Sequence, residues 1–118
     1  MTPSTPQTYD HLDKLFIAGA WRDGGSGTTL EDVNPYNQDV LASHVLANRA
    51  DVDEAYAAAA QAQREWAAAA PRERAGVLTR AVQLFDQRHD ELVRWCQLES
   101  GSIRAKAEFE VGAARDIT

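Results

Sequence analysis

The sequence DVDEAYAAAAQAQREWAAAAPRERAGVLTRAVQLF, residues 51–85, predicts two consecutive helices separated at a proline. Asp51 and Glu54 have the spacing of a capping box, so we expect the first helix over residues 52–69. Its apolar stripe consists mostly of alanine, which favours a helix but buries little apolar area. Proline is favoured in the first turn of a helix, so we expect the second over residues 71–88. Its apolar positions form the strongest such face in the chain: Val77, Leu78, Ala81, Leu84 and Phe85.

Two further helices are expected downstream, over residues 90–100 and 103–118. The apolar spacing lapses before the first of them, and Gly101 behind it is typical of a helix C-cap. Ser102 stands where it can cap the last helix. The apolar stripe of that helix comprises Ala105, Phe109 and Ala113. No closing signal follows this stripe, so we expect a helix that is cut short.

Upstream of the helices, the sequence predicts short strands joined by turns. Residues 15–22 are expected to form a hairpin whose tight turn includes Gly19. Further strands are expected over residues 30–33 and 40–47, because both runs favour β structure. The glycine-rich stretch over residues 23–28 predicts a flexible surface loop that connects these strands.

These elements place the chain in the α/β class, as an α+β arrangement of N-terminal β-hairpins followed by three to four helices. With 118 residues there is room for one modest domain at most, expected over residues 15–118. Residues 1–14 are polar and contain prolines, which predicts a disordered tail.

Charge and composition exclude several classes of partner. The net charge of -6 and the pI near 4.9 leave no basic surface for nucleic acid or for an anionic membrane. Hydrophobic residues make up 44% and charged residues 25%, the balance of a soluble globular protein. A single cysteine excludes an internal disulfide, and no signal or transit peptide is recognisable, so we expect a cytoplasmic protein.

Cys96 and the three histidines are the candidate chemical groups. Cys96 lies on a helical apolar face, which favours a buried structural cysteine over a nucleophile. His44 is expected beside a sheet surface, and His11 and His89 are interpreted as structural or solvated. The glycine-rich loop lacks the buried strand, helix start and lysine of a phosphate-binding loop. The sequence therefore predicts no catalytic, cofactor-binding or metal-ligating residue in this chain.

Six short motifs, taken in order, resemble the aldehyde dehydrogenase superfamily. The first resembles that family's FI-x-G-x-W hairpin, and the resemblance extends over residues 15–118. The motifs are Phe16–Trp21, Val33–Pro35, Asp51–Ala55, Pro71–Ala75, Asp90–Leu92 and Glu99–Gly101. Residues 99–108 look most like the branch that acts on aromatic aldehydes, such as benzaldehyde and vanillin dehydrogenases.

The resemblance implies oxidation of an aldehyde to a carboxylic acid, with NAD or NADP as the hydride acceptor. That chemistry needs a cysteine thiolate, amide donors to an oxyanion, a carboxylate that activates water, and a dinucleotide-binding βα unit. None of these is recognisable here, so we expect no cofactor to bind this chain alone. In some relatives, the positions matching Glu99 and the main chain of Val33 help to hold a structural monovalent cation.

Two functions remain open from the sequence. In the first, the chain is the N-terminal part of an aldehyde dehydrogenase and is inactive alone. Its partners are then the remainder of the enzyme or other subunits of a homo-oligomer. In the second, it is a stand-alone helical module for protein interaction or oligomerisation. The first function also predicts marginal folding of the isolated chain, because apolar area would stay exposed without its covering domain on Trp21, Trp66, Phe85 and Phe109.

Overall fold

The computed structural model describes residues 9–118, which form two antiparallel strand pairs followed by four helices. The strands are β1 Leu15–Ile17, β2 Ala20–Arg22, β3 Thr29–Val33 and β4 Val40–Val45. The helices are α1 Arg49–Ala68, α2 Pro71–Gln87, α3 His89–Ser100 and α4 Arg104–Asp116. This mixed architecture confirms the predicted α/β class.

The segment before β1 has a defined turn. Of the tail predicted over residues 1–14, residues 1–8 lie outside the described range. Residues 10–14 form a turn in which the main-chain nitrogen of Lys14 donates to the carbonyl of His11 at 3.0 Å. The Lys14 ammonium also lies 2.5 Å from a carboxylate oxygen of Asp23. Local contacts thus give these residues a turn where the sequence predicted disorder.

The described residues divide into two compact units. The hairpin unit comprises Tyr9–Asp32 and Val40–Ala70, and it contains α1 together with nearly all of the strand residues. The three-helix unit comprises Val33–Asp39 and Pro71–Thr118, and it contains α2, α3 and α4.

A two-residue turn joins β1 to β2, as the sequence predicts. Phe16 pairs with Trp21 in an antiparallel register, and Ile17 pairs with Ala20. The two turn residues both have positive φ, 53° at Ala18 and 80° at Gly19. A type I′ turn requires this combination, and it matches the twist of the flanking strands.

The start of α1 corrects the predicted capping box. Asn48, not Asp51, is the N-cap, so the helix begins at Arg49 and not at residue 52. The Asn48 side-chain oxygen accepts from the main-chain nitrogen of Asp51 at 2.9 Å. The Asp51 carboxylate accepts in return from the main-chain nitrogen of Asn48 at 3.0 Å. Asparagine caps a helix well because its short side chain reaches the free amides of the first turn.

The alanine-rich helix α1 buries almost nothing. Asp51 is its only buried residue, and within the hairpin unit the helix contacts β1. Alanine side chains offer little area to bury, so the stripe adds only a small amount of hydrophobic stabilisation.

None of the helices in the described range has the length and apolarity that crossing a bilayer requires.

The core of the three-helix unit forms between α3 and α4. Val93, Ala107 and Val111 are buried together there, and Phe85 from α2 packs against them. The apolar stripe predicted for α4 is not the face buried here, and Phe109 within it is 75% exposed, as expected for an aromatic side chain without its covering domain. Ala107 and Val111 lie two positions along from the predicted residues, a rotation of about 200° around the helix axis.

The apolar face of α2 is also largely uncovered. No residue of this helix is buried, although the sequence identifies its face as the strongest in the chain. Val77 is 55% exposed, and Leu78 and Leu84 are exposed as well. Phe85 is the side chain of this face that packs against the α3–α4 core. The described residues thus leave two apolar helix faces in contact with solvent, one on α2 and one on α4.

The end of α3 is confirmed as predicted. Gly101 has φ 67°, and its main-chain nitrogen donates to the carbonyl of Gln97 at 3.0 Å. A Cβ atom at this position would lie 3.1 Å from Cγ of Pro35, so glycine also permits a close approach of the turn after Val33. The predicted cap at Ser102 is wrong, because Ile103 occupies the N-cap of α4 and makes no side-chain cap bond.

Candidate functional site

Among the described residues, Asp51 is the one polar or charged residue that is buried, with 7% of its surface exposed. It accepts from the main-chain nitrogen of Gly25 at 2.7 Å and from that of Asn48 at 3.0 Å. Arg22 adds a third donor through Nη2 at 3.1 Å and also donates through Nη1 to Glu54 at 2.8 Å. We call these five residues the Asp51 junction.

Three segments of the hairpin unit meet at the Asp51 junction. Arg22 ends β2, Gly25 lies in the glycine-rich loop, and the acidic residues belong to the first turns of α1. This cluster was not predicted from the sequence, although one local signal points to it. Asn48-Arg49-Ala50-Asp51 has capping-box spacing one turn upstream of the predicted box.

The glycine-rich loop is held in place, so the predicted flexible connector is wrong for its first residues. A Cβ atom at Gly24 would lie 2.7 Å from the carbonyl oxygen of Leu46. A Cβ atom at Gly25 would collide with the side-chain amide of Asn48. At Gly24 the conflict is with main chain, whereas at Gly25 it is with the end of a side chain, which is held by its hydrogen bond to the main-chain nitrogen of Asp51.

The hydrogen bonds at the junction stabilise the ionised form of Asp51. Main-chain donation from Asn48, then from Gly25, and the charge of Arg22 together lower the pKa of Asp51 below its ordinary value. The pKa of Arg22 is raised, chiefly by its hydrogen bond to Glu54. Because Asp51 is buried and accepts from Gly25, Asn48 and Arg22, its carboxylate ties three segments of the hairpin unit together.

The glycine-rich loop does not fit a dinucleotide. Binding a pyrophosphate needs glycine amides that face free space at a helix N-terminus. Here the amide of Gly25 already donates to a carboxylate, and Asn48 fills the space beside the loop. The negative charge of Asp51 would repel a phosphate at this position.

An open groove of about 500 Å³ lies within the hairpin unit, between the β1–β2 turn and α1. Its wall on the α1 side consists largely of alanine methyl groups, and Phe16 and Ala18 lie on the other side. Gln61 and Glu65 are its polar side chains. With a single carboxylate and no second titratable group, the groove lacks the acid and base pair that proton-transfer catalysis uses.

Cys96 packs against the core of the three-helix unit and is half-buried, where the sequence predicted a buried cysteine. Its Sγ donates to Oε2 of Glu110 at 3.2 Å, and Nζ of Lys106 lies 2.5 Å from the other oxygen of that carboxylate. Burial and then Glu110 raise the pKa of the Cys96 thiol. A catalytic cysteine needs a lowered pKa, so this environment disfavours the nucleophilic thiolate.

Each of the three histidines contacts residues other than Cys96. His11 stacks on Trp21 with ring centroids 5.2 Å apart, and Nδ1 of His44 lies 3.3 Å from the carbonyl of Leu12. His89 begins α3, with Nδ1 3.9 Å from a carboxylate oxygen of Asp90. Across residues 9–118, no cluster of three or more histidine, cysteine or acidic side chains is placed to hold a metal ion.

Glu99 and Val33, the positions that the resemblance links to a cation, both belong to the three-helix unit. Glu99 lies in the last turn of α3, and Val33 ends β3. The close approach of Gly101 to Pro35 brings the two short segments that carry them together. The cation itself stays a prediction.

The chain is similar to known aldehyde dehydrogenases over most of its length. A vanillin dehydrogenase of Corynebacterium glutamicum is 43% identical over 105 residues, which cover 89% of this chain and 22% of the relative. A benzaldehyde dehydrogenase of Bacillus subtilis is 38% identical over 109 residues, which cover 92% of this chain and 22% of the relative. The chain therefore spans 22% of the length of these curated relatives.

The fold agrees with these sequence matches. The crystal structure of an NAD-dependent benzaldehyde dehydrogenase from Corynebacterium glutamicum superposes with a TM-score of 0.85 at 41% identity. The superposition covers 92% of this chain and 24% of that one. Residues 21–118 match the aldehyde dehydrogenase family, and they include five of the six motifs in full and the end of the first. The chain belongs to the aldehyde dehydrogenase family.

Proposed function

We propose that this chain serves as the N-terminal part of an enzyme that oxidises an aromatic aldehyde to its carboxylic acid with NAD or NADP. The observation that carries the proposal is the 43% identity to a vanillin dehydrogenase along 89% of the chain. The matched region is 22% of that relative's length, so most of a comparable enzyme lies outside these residues. We also propose that the protein is cytoplasmic and that the complete enzyme is a homo-oligomer.

The role of this chain in such an enzyme is structural. The pKa of Cys96 is raised, so this thiol does not supply the nucleophile. The amide of Gly25 is bonded to Asp51 and Asn48 occupies the space beside it, so the glycine-rich loop does not supply the cofactor site. The uncovered faces of α2 and α4 are the surfaces on which the remainder of the enzyme would pack. Phe109, 75% exposed, would bury more apolar area in that contact than a smaller side chain could.

Activity measurements on the purified chain test the catalytic part of this proposal. We expect no reduction of NAD or NADP with benzaldehyde or vanillin, because no described residue provides an activated thiolate. Turnover by the chain alone, free of any companion polypeptide, would overturn the proposal.

Reconstitution tests the docking part. The Corynebacterium glutamicum vanillin dehydrogenase without its matched N-terminal region supplies the missing polypeptide. We expect the two chains to co-elute in gel filtration, and we expect Phe109→Asp to abolish this association while leaving the helical circular dichroism unchanged. Tyr36→Asp is the matched control, since Tyr36 is also an exposed aromatic residue but lies in a turn. Separate elution of the unmodified chains would contradict the docking role.

The alternative is a stand-alone helical interaction or oligomerisation module. The same uncovered faces of α2 and α4 favour it, because apolar helix faces are common contact surfaces. The thermal behaviour of the isolated chain distinguishes the two functions. A module selected to exist alone would melt cooperatively as a soluble species, whereas a part of a larger enzyme is expected to be marginally stable and prone to aggregate.

A further inference from the structure

We draw no further inference here: the strongest candidate, the apolar groove between the β1–β2 turn and the alanine face of α1, carries nothing because nothing in the structure shows what covers it.

Discussion

Oδ2 of Asp51 lies 2.7 Å from the main-chain nitrogen of Gly25, and this hydrogen bond joins the glycine-rich loop to the first turn of α1. The two residues are 26 positions apart in the chain. The same oxygen completes the capping box with Asn48. One carboxylate therefore closes a loop and starts a helix at once, so a change in it affects both.

Asp51→Asn is expected to destabilise the hairpin unit. An amide presents at most one acceptor oxygen, so it cannot accept from Gly25, Asn48 and Arg22 as the carboxylate does. We expect the melting temperature to fall by roughly 4–8 °C, as losing about one net hydrogen bond does in a domain of this size. Thermal unfolding followed by circular dichroism measures the shift.

Asp53→Asn is the matched control for that substitution. Asp53 lies in the same helical turn, but its side chain is 72% exposed and its partner is Arg49 at 3.7 Å. Exposed pairs of this kind contribute little, so the melting temperature should stay nearly constant. An equal fall in melting temperature for the two substitutions would mean that the contacts of Asp51 contribute no more to stability than an exposed ion pair does.

The lowered pKa of Asp51 predicts a specific pH dependence of stability. Because the folded state holds this carboxyl ionised, its contribution is present above the unfolded pKa of about 3.9 and is lost as pH falls through the lower folded value. Acidification below about pH 4 should therefore narrow the stability difference between the unmodified chain and Asp51→Asn. Urea unfolding of both proteins at neutral pH and at acid pH measures this difference in the free energy of unfolding. A difference that does not change with pH would contradict a lowered pKa of Asp51.

Gly25→Ala and Gly76→Ala are expected to act in opposite directions. A methyl group at Gly25 would collide with the side chain of Asn48, so we expect a loss of about 1–3 kcal/mol in the free energy of unfolding. Gly76 lies inside α2 with open space beside it, so alanine there should add up to about 1 kcal/mol through its helix propensity. Urea unfolding curves of both variants give the two signs, and an unchanged free energy of unfolding for Gly25→Ala would show that the side chain of Asn48 does not restrict this position.

Glu110→Gln is expected to make Cys96 more reactive. The carboxylate accepts from the thiol at 3.2 Å and opposes formation of a thiolate, so removing its charge should lower the pKa of Cys96. We expect alkylation by iodoacetamide at neutral pH to become several-fold faster. Glu108→Gln is the control, because Glu108 pairs with Arg104 at 2.7 Å and not with the thiol. If both variants react at the same rate as the unmodified chain, Glu110 does not suppress the reactivity of Cys96.

Short-range signals in the sequence determined the positions of the turns and of several helix ends. The tight turn at Gly19, the proline that begins α2 and the Gly101 C-cap depend on residues within a few positions of one another, and the structure has each of them where it was predicted. The order of six motifs was enough to indicate the family, and the family match over residues 21–118 confirms it. No distant contact had to be known for these predictions.

The tertiary structure alone decided which surfaces are buried and which loop is fixed. The buried face of α4 carries Ala107 and Val111, which have less apolar area than Phe109, because burial depends on the position of α3 and not on the hydrophobicity of the stripe. The pairing of Arg22 with Asp51 spans 29 positions, and no local pattern encodes it. Periodicity identifies apolar faces, but only the packing of elements that are distant in sequence determines which face is covered.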